Sequence, residues 1–530
     1  TPMIKQGGVW QECDWKTALE FIANGLKEIK ENFGAQSIGA LASPHSTLEE
    51  LYLLQKLTRG LGSENIDHRL RQSDFSSDKY MSGVPWLGMS IAGISELKAI
   101  LIIGSNLRKD HSLIAQRIRR AVKDGAELNL INPINDDLLT DVANQAIVSP
   151  SEMVVMLAQI LKVIVELKKE KSPDHIENFL KEVNEITDTA RSIAVSLINN
   201  SPSSIFLGNL AQHHPQYADI QLLTQCIAKF AESDFGILGE AANSVGAYFA
   251  GAIPNKVSLE DSSNNGLNAS QMLGIDTATP GTNPCRAYLL LNLEPELDVY
   301  DPQAATKALD GADLVVMMSA YKQDTSAATD YADVMLPISP FTETSGTFIN
   351  TEGRVQNFNG VVTPLGDTRP AWKILRVLGN LLQLDGFNFD NPEQVYAEAM
   401  PPDFDIKTNL VNELNSFTVN EFRQKNDGIQ RIAEVPIYQA DPIVRHAESL
   451  QLTRDAVEEP VAWMSGNLLE KLGLCAGDKA ELKQGEGAAS LRVDCDDKIP
   501  PNCIRLVTAH PMTAGLGGMF EDITVKKCDG

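Results

Sequence analysis

No C-x-x-C, and no closer pair of cysteines, occurs in this sequence. The seven are Cys13, Cys226, Cys285, Cys475, Cys495, Cys503 and Cys528, and the nearest pair, Cys495 and Cys503, has seven residues between its members. An odd, dispersed set excludes a disulfide framework and points to reduced thiols. It equally excludes an iron–sulfur cluster in this stretch, because clusters need grouped thiolates. Positive charge is also scarce. Against 70 acidic residues stand 45 Lys and Arg, a formal net charge of -25. Such a surface repels phosphate backbones and excludes nucleic acid as a partner, while it suits docking on basic protein surfaces. Long apolar runs are missing too. The best candidate, 153–167, is interrupted by Gln159, Lys162 and Glu166, too short and too charged for a span of about 20 apolar residues, so no direct membrane insertion is expected. The opening Thr1-Pro2-Met3-Ile4-Lys5 has neither the apolar core of a signal peptide nor an initiator Met, and reads as the start of a processed or cut piece. Zinc-type spacing is absent as well. His213-His214 before Pro215 lacks i, i+4 ligand spacing and is expected in an exposed loop.

What remains is an ordinary globular composition. Hydrophobic residues make up 43% and charged residues 22% of 530, which argues against wholesale disorder and, at about 150 residues per domain, for three or four domains. A helix opens at Asp14, with Trp15, Ala18, Leu19, Ile22, Leu26 and Ile29 at helical spacing. Ser46-Thr47-Leu48-Glu49 reads as a capping box starting a second helix. Ser149-Pro150-Ser151-Glu152 reads as a third start. The clearest unit spans 97–133. The apolar run Ala99-Ile100-Leu101-Ile102-Ile103, a helix carrying Ile114, Ile118, Ala121 and Val122, and the run Leu128-Asn129-Leu130-Ile131 form a βαβ unit of a parallel sheet. Similar strands recur at 205–207, 288–291 and 314–317. Residues 258–284 turn polar and small, a long surface loop or lid. After about 436, short alternating segments such as 479–482 and 490–493 suggest a small β-rich domain.

Ligand chemistry in such folds belongs at the carboxyl ends of parallel strands. Gly104-Ser105-Asn106, Asn132-Pro133, Gly208-Asn209 and Asn292 fall there, although Gly and Asn also simply terminate strands. The densest polar stretch begins at Ala332-Asp333-Val334-Met335-Leu336-Pro337. It resumes at Glu343 and runs on through Gly346, Thr347, Asn350, Glu352, Gly353 and Arg354 to Gln356. Its composition is unlike a packed strand and suggests a turn-rich loop held by side-chain hydrogen bonds.

That stretch resembles the ADVVLP…E…GTFTNTEGRVQ signature of the molybdopterin oxidoreductases, the superfamily of formate dehydrogenases and nitrate reductases. Matches follow in the same order elsewhere. Trp10-Gln11-Glu12 with Asp14-Trp15 resembles the segment after the family's amino-terminal iron–sulfur region. Glu49-Glu50-Leu51-Tyr52 resembles its E-E-x-Y helix. Ile103 through Asn106 with His111, and Gly125 through Pro133, resemble its first dinucleotide-binding unit. Ala242-Asn243-Ser244-Val245-Gly246 resembles its N-x-x-G turn. Ala462-Trp463, Leu472-Gly473-Leu474 and Gly477-Asp478 resemble its terminal barrel. The resemblance implies an α/β fold of two interleaved Rossmann-like parallel-sheet domains plus a carboxy-terminal β-barrel domain. The first domain would take 1–72 with 286–435, the second 73–285 and the barrel 436–530. It further implies a cofactor pocket at Gly104, Asn106, Asn132, Asn243, Gly246, Asn292, Gly346, Asn350, Glu352, Arg354 and Gln356.

The departures are as informative. After Asn65-Ile66-Asp67 the chain reads His68-Arg69-Leu70-Arg71-Gln72-Ser73, with no Cys where active members hold molybdenum. Ser73 falls near that position, and a surface or capping role is the better reading of it. Asn132-Pro133-Ile134 replaces Asp-Pro-Arg, losing the carboxylate that accepts from a guanine edge. His111 precedes Ser112 where the family has Pro. A scaffold with these losses resembles the large peripheral-arm subunit of bacterial NADH:quinone oxidoreductase, respiratory complex I. That resemblance implies a degenerate cofactor site, no cofactor in this portion, and iron–sulfur clusters in the portion before it. Its partners would be other peripheral-arm subunits, on the cytoplasmic face of the inner membrane. The alternatives are a catalytic molybdopterin enzyme with Ser73 as metal ligand and an interaction module without redox role. An NAD-dependent dehydrogenase is disfavoured, since Gly104 opens no G-x-G-x-x-G.

Overall fold

In the computed structural model of the chain, the apolar run Ala99–Ile103 is the central strand of a five-stranded parallel sheet. The order is Asn144–Ile147, Glu127–Asn132, Ala99–Ile103, Ser203–Leu207, Asp234–Ile237. Described are residues 1–172, 174–254, 266–275, 285–322, 330–415, 417 and 428–528. The alternation along the central strand explains the run. Ala99, Leu101 and Ile103 join one apolar cluster with the helix Pro150–Lys168 and the helix Tyr217–Ala231. Ile100 and Ile102 join another with Ile114 and Ile118 of the helix Ser112–Lys123. Both faces are covered, so neither can be polar. Each buried Ile or Leu is worth about 1.5–3 kcal/mol.

The chain divides into two compact units. The first comprises Thr1–Gln72, Ala241–Lys407 and Tyr438–Val457; the second comprises Ser73–Glu240, Thr408–Ile437 and Glu458–Gly530. The chain leaves the first unit after Gln72 and returns to it at Ala241, ahead of 286. The reason is local. The Asn243 side chain and the helix Ser244–Phe249 attach to the Ser46 turn and the helix Leu48–Leu61.

A seven-stranded sheet organises the first unit, in the order Val9–Glu12, Met3–Gln6, Val334–Pro337, Leu314–Ser319, Ala287–Leu291, Ile38–Ala42, Ile66–Asp67. The strands from Val334–Pro337 onward run parallel, and the amino-terminal ribbon adds antiparallel at one edge. Asp14 caps the helix Trp15–Phe33 by accepting from the Thr17 N–H. The polar stretch after Ala332 is more regular than its composition suggests. It supplies one strand of this sheet and an antiparallel hairpin, Gly346–Ile349 with Val355–Phe358. Of the expected 258–284 loop, 258–265 and 276–284 lie outside the described residues. Between them Asn268 caps a buried helical turn, Ala269–Met272, held by Asn65, Asp67 and Tyr288.

The second unit also contains a six-stranded sheet, in the order Gln430–Glu434, Cys503–Val507, Val461–Met464, Gly487–Cys495, Lys479–Gln484, Thr524–Lys527. It curls until the segment leading into its last strand bonds to the start of its first. Ile523 N–H donates to Ile429 C=O at 2.9 Å and Arg431 N–H to Glu521 C=O at 3.2 Å. This is the expected barrel, as a half-barrel, but its first strand begins at Gln430, before 436. Tyr438–Val457 belongs to the first unit. No helix among the described residues is long and apolar enough to cross a membrane.

Candidate functional site

The proposed pocket residues fall into two sets, one in each unit. In the second unit Gly104, Asn106 and Asn132 stand at the carboxyl ends of the parallel strands. Gly104 has φ +59°, and a Cβ there would lie 2.5 Å from the Ala211 nitrogen. Packing on Ala211 therefore demands glycine. Asn132 donates to the Ser105 carbonyl at 3.0 Å and the Ile134 carbonyl at 2.9 Å. The Asn106 amide donates to Glu434 Oε1 at 2.7 Å. Glu434 is the hub of this edge. Lys109 reaches Oε1 at 2.9 Å, and Arg505 Nε reaches Oε2 at 2.8 Å while its fork grips Asp136 at 2.9 and 3.1 Å. No sequence pattern singled out Glu434 or Arg505. The usable signal was Arg505 inside the otherwise apolar strand Cys503–Val507, where only a paired charge is tolerated; Glu434, in Gln430–Glu434, had no such signal.

Burial shapes the titratable groups nearby. Asp110 is pushed up to about 7 by burial and by the charge of Glu434. His111 is pulled down to about 4 by burial, so its imidazole is neutral at pH 7. Its Nε2 donates to the Gly239 carbonyl at 3.0 Å, which leaves Nδ1 a buried acceptor without a donor. Asn106 Oδ1, Asn132 Oδ1, Asn209 Oδ1 and Ser105 Oγ are buried without partners at the same edge. Bridging water satisfies such a set. His213 and His214 are buried, not on an exposed loop. His213 Nε2 lies 3.4 Å from Glu240, and the His214 ring is fixed between the Gln216 N–H and the Pro150 carbonyl. Gln216 donates to Nδ1, so Nε2 carries the proton.

In the first unit Ser46 gathers Asn243, Asn292 and the hairpin. The expected capping pair was Ser46 with Glu49, but the box is Thr47 with Glu50, one residue on. That shift frees Ser46 and Glu49 for long-range contacts. Asn243 Nδ2 donates to the Ser46 carbonyl at 2.9 Å, and Asn292 Nδ2 to the Ser46 hydroxyl at 3.0 Å. Asn243 Oδ1 accepts from the Ile349 N–H at 2.8 Å. Gly246 lets the helix pass, since a Cβ there would lie 1.9 Å from Asn243 Oδ1. A Cβ at Gly346 would lie 2.5 Å from Thr47 Cγ2. Asn350 Oδ1 accepts from the N–H groups of Glu352 and Arg354, closing the hairpin turn. Arg354 pairs with Glu352 at 3.1 Å, and Gln356 is exposed beside them. The sheet end next to Ser46 keeps a cavity of about 30 Å³, room for a water or two.

Glu49 and Glu50 are both buried, and burial pushes each carboxyl up to about 7. A carboxyl whose pKa is raised on folding stabilises the fold in its protonated form. That contribution is full below the ordinary 4.5 and is lost as pH rises to about 7. The urea midpoint of wild type is therefore expected to fall across this window. In Glu50→Gln it should fall measurably less; an identical slope would rule out a neutral Glu50.

Two mainly parallel sheets, each clothed by helices, with a curled carboxy-terminal sheet, define the molybdopterin oxidoreductase architecture. The chain belongs to that family: its sequence profile, described as molybdopterin oxidoreductase, matches residues 1–381. Among curated relatives, the F420-dependent formate dehydrogenase subunit alpha of Methanocaldococcus jannaschii is 28% identical over 445 residues, 75% of this chain and 64% of that protein. A probable oxidoreductase of Bacillus subtilis, YjgC, is 26% identical over 450 residues, 75% of this chain and 44% of that one. The chain thus matches less than two thirds of the length of these relatives. Acetylene hydratase from Pelobacter acetylenicus shares the fold, with a TM-score of 0.72 at 18% identity, over 99% of this chain and 92% of its own.

The family's cofactor is a poor fit to these residues. Ser73 is half-buried and its hydroxyl donates to the His213 carbonyl at 3.4 Å. The amide nitrogens of Asn106, Asn132, Asn243 and Asn292 all donate within the protein, and Glu434 adds a buried carboxylate beside Asn106, an unfavourable neighbour for an anionic group.

Proposed function

We propose that this chain is the cofactor-fold portion of the large iron–sulfur subunit of an NADH:quinone oxidoreductase, respiratory complex I. On this reading it carries no cofactor, and it serves as scaffold and docking surface for other peripheral-arm subunits on the cytoplasmic face of the membrane. Electrons pass through clusters held by residues outside this chain, and the assembled complex, not this portion, is the catalyst. The observation that carries the reading is the strand edge where Asn106, Lys109 and Arg505 converge on the Glu434 carboxylate. The missing thiol at the metal position supports it. The excess of 25 negative charges suits attachment to basic neighbours.

The rival reading is a molybdopterin enzyme akin to the formate dehydrogenases among its relatives, with Ser73 as metal ligand. Elemental analysis, with pterin fluorescence after oxidation, separates the two on the purified protein. The scaffold reading expects neither molybdenum nor tungsten and no pterin. Metal near one per chain would overturn it and promote Ser73 to a ligand. Deleting the chain from its organism should abolish NADH-dependent quinone reduction; retained activity would leave only an interaction role.

A further inference from the structure

Another cavity in the first unit is lined in part by motif residues, Glu49, Gly346 and Thr347. It measures about 270 Å³ and lies between the start of the helix Leu48–Leu61, the hairpin and the helix Pro392–Ala399. Its lining is acidic, aromatic and amide-bearing, with Glu49, Asn357, Phe358, Asn359, Glu393 and Tyr396. No lysine or arginine lines it.

Hydrogen counting shows what Glu49 is doing there. Its Oε2 accepts from the Thr347 N–H at 2.9 Å, and its Oε1 lies 2.6 Å from Thr347 Oγ1. The same hydroxyl lies 3.0 Å from Asn357 Oδ1. One hydroxyl proton cannot serve two acceptors. The count closes if Glu49 is protonated and donates to Thr347, which then donates to Asn357; turning the Asn357 amide over would also close it. Burial favours the first, because Glu49 is 2% exposed and pushed up to about 7. The titratable groups facing it are Glu50 beside it and Glu393 and Tyr396 from the neighbouring helix. None is a cation. Glu393 is exposed at the rim, and no cation pairs with it among the described residues.

We infer that this cavity binds a small organic cation, an alkylammonium or guanidinium group seated between Glu393 and Glu49, and that binding releases the proton Glu49 otherwise holds. The aromatic faces of Phe358 and Tyr396 suit such a cation, and the volume suits a ligand of a few heavy atoms. The protein's negative field concentrates cations at its surface. Cation and proton compete for one carboxyl, so affinity climbs about tenfold per pH unit below 7 and levels off above it.

The test is isothermal titration of the chain with agmatine at pH 6, 7 and 8, each in two buffers of different ionisation enthalpy. Expected is saturable binding that releases close to one proton per ligand at pH 6. Glu49→Gln should abolish the proton release and the pH dependence. Glu393→Gln and Tyr396→Leu, which removes the aromatic face, should each weaken binding several-fold while proton release persists. No saturation by 10 millimolar agmatine would overturn the inference. So would binding without proton release, binding that neither rim variant changes, or a site filled by magnesium ion but not by agmatine.

Discussion

Replacing Arg445 with Met is expected to cost the first unit about 3–5 kcal/mol, the penalty for breaking a buried ion pair by removing one partner. Arg445 Nε donates to Glu294 at 2.8 Å, and its two terminal nitrogens donate to Asp298 at 2.9 and 2.8 Å. Nη1 also donates to the Gln439 carbonyl at 2.8 Å. Arg71 contacts the same Asp298 at 3.0 Å, and His446 contacts Glu294 at 2.6 Å while stacking on Tyr321. The side chains of Arg445, Glu294 and Asp298 are only 5–6% exposed, so water cannot replace the lost guanidinium. Arg445→Lys keeps the charge but loses the fork, and should cost roughly half as much. The damage should be local, because these contacts hold Tyr438–Val457 to the sheet domain. Hydrogen exchange of the amides from Pro442–Arg445 through Glu448–Gln451 should quicken more than that of Ile38–Ala42. A loss below 1 kcal/mol, or uniform quickening, would show that something else anchors the segment.

That anchor explains why the domain division was only half legible. Ala99–Ile103 declared itself a covered strand, because five apolar residues in succession leave no face for water. The boundary at 72 came with the family resemblance and not from any local pattern. The assignment of Tyr438–Val457 was not legible. Its short helices carry no long periodicity, and its place is set by Arg445 reaching residues about 150 positions away. Ala241 likewise returns to the first unit through long-range contacts, and the partners of Asn243 lie 197 and 106 positions off. A local pattern encodes local structure, and pairings at such range leave no local trace.

The candidate site shows the same limit from the chemical side. Glycine and asparagine do stand at the strand ends, and the structure gives them packing and hydrogen-bonding reasons to be there. Gly104 is glycine because Ala211 sits against it. Asn132 secures its own loop. The residues that define each cluster, Glu434 and Arg505 in one and Ser46 and Glu49 in the other, were passed over or read as a cap. Ser46-x-x-Glu49 and Thr47-x-x-Glu50 both satisfy the capping pattern, and only the backbone decides which pair is used. The unused pair then becomes available for tertiary contacts, and it is the unused pair that meets Asn243, Asn292 and Thr347.

Asn243 offers the sharpest test of that cluster. It is fully buried and ties two backbone groups, the Ser46 carbonyl and the Ile349 N–H, that have no water to turn to. Asn243→Ala strands both. At about 1–3 kcal/mol for each unsatisfied group, a loss on the order of 4 kcal/mol is expected in chemical denaturation. Asn243→Asp should fare no better, because a carboxylate would face the Ser46 carbonyl. Gly246→Ala acts on the same atom from the other side, since its Cβ would fall 1.9 Å from Asn243 Oδ1. Alone it should cost about 2–3 kcal/mol, through a clash that the buried carboxamide cannot evade. In the Asn243→Ala background the obstructing atom is gone, and the methyl group of Gly246→Ala enters the space it left. The second substitution should then cost almost nothing, giving a coupling energy of about 2 kcal/mol in the double-mutant cycle. Simple additivity would mean that Gly246 is needed for backbone freedom and not to clear the Asn243 amide.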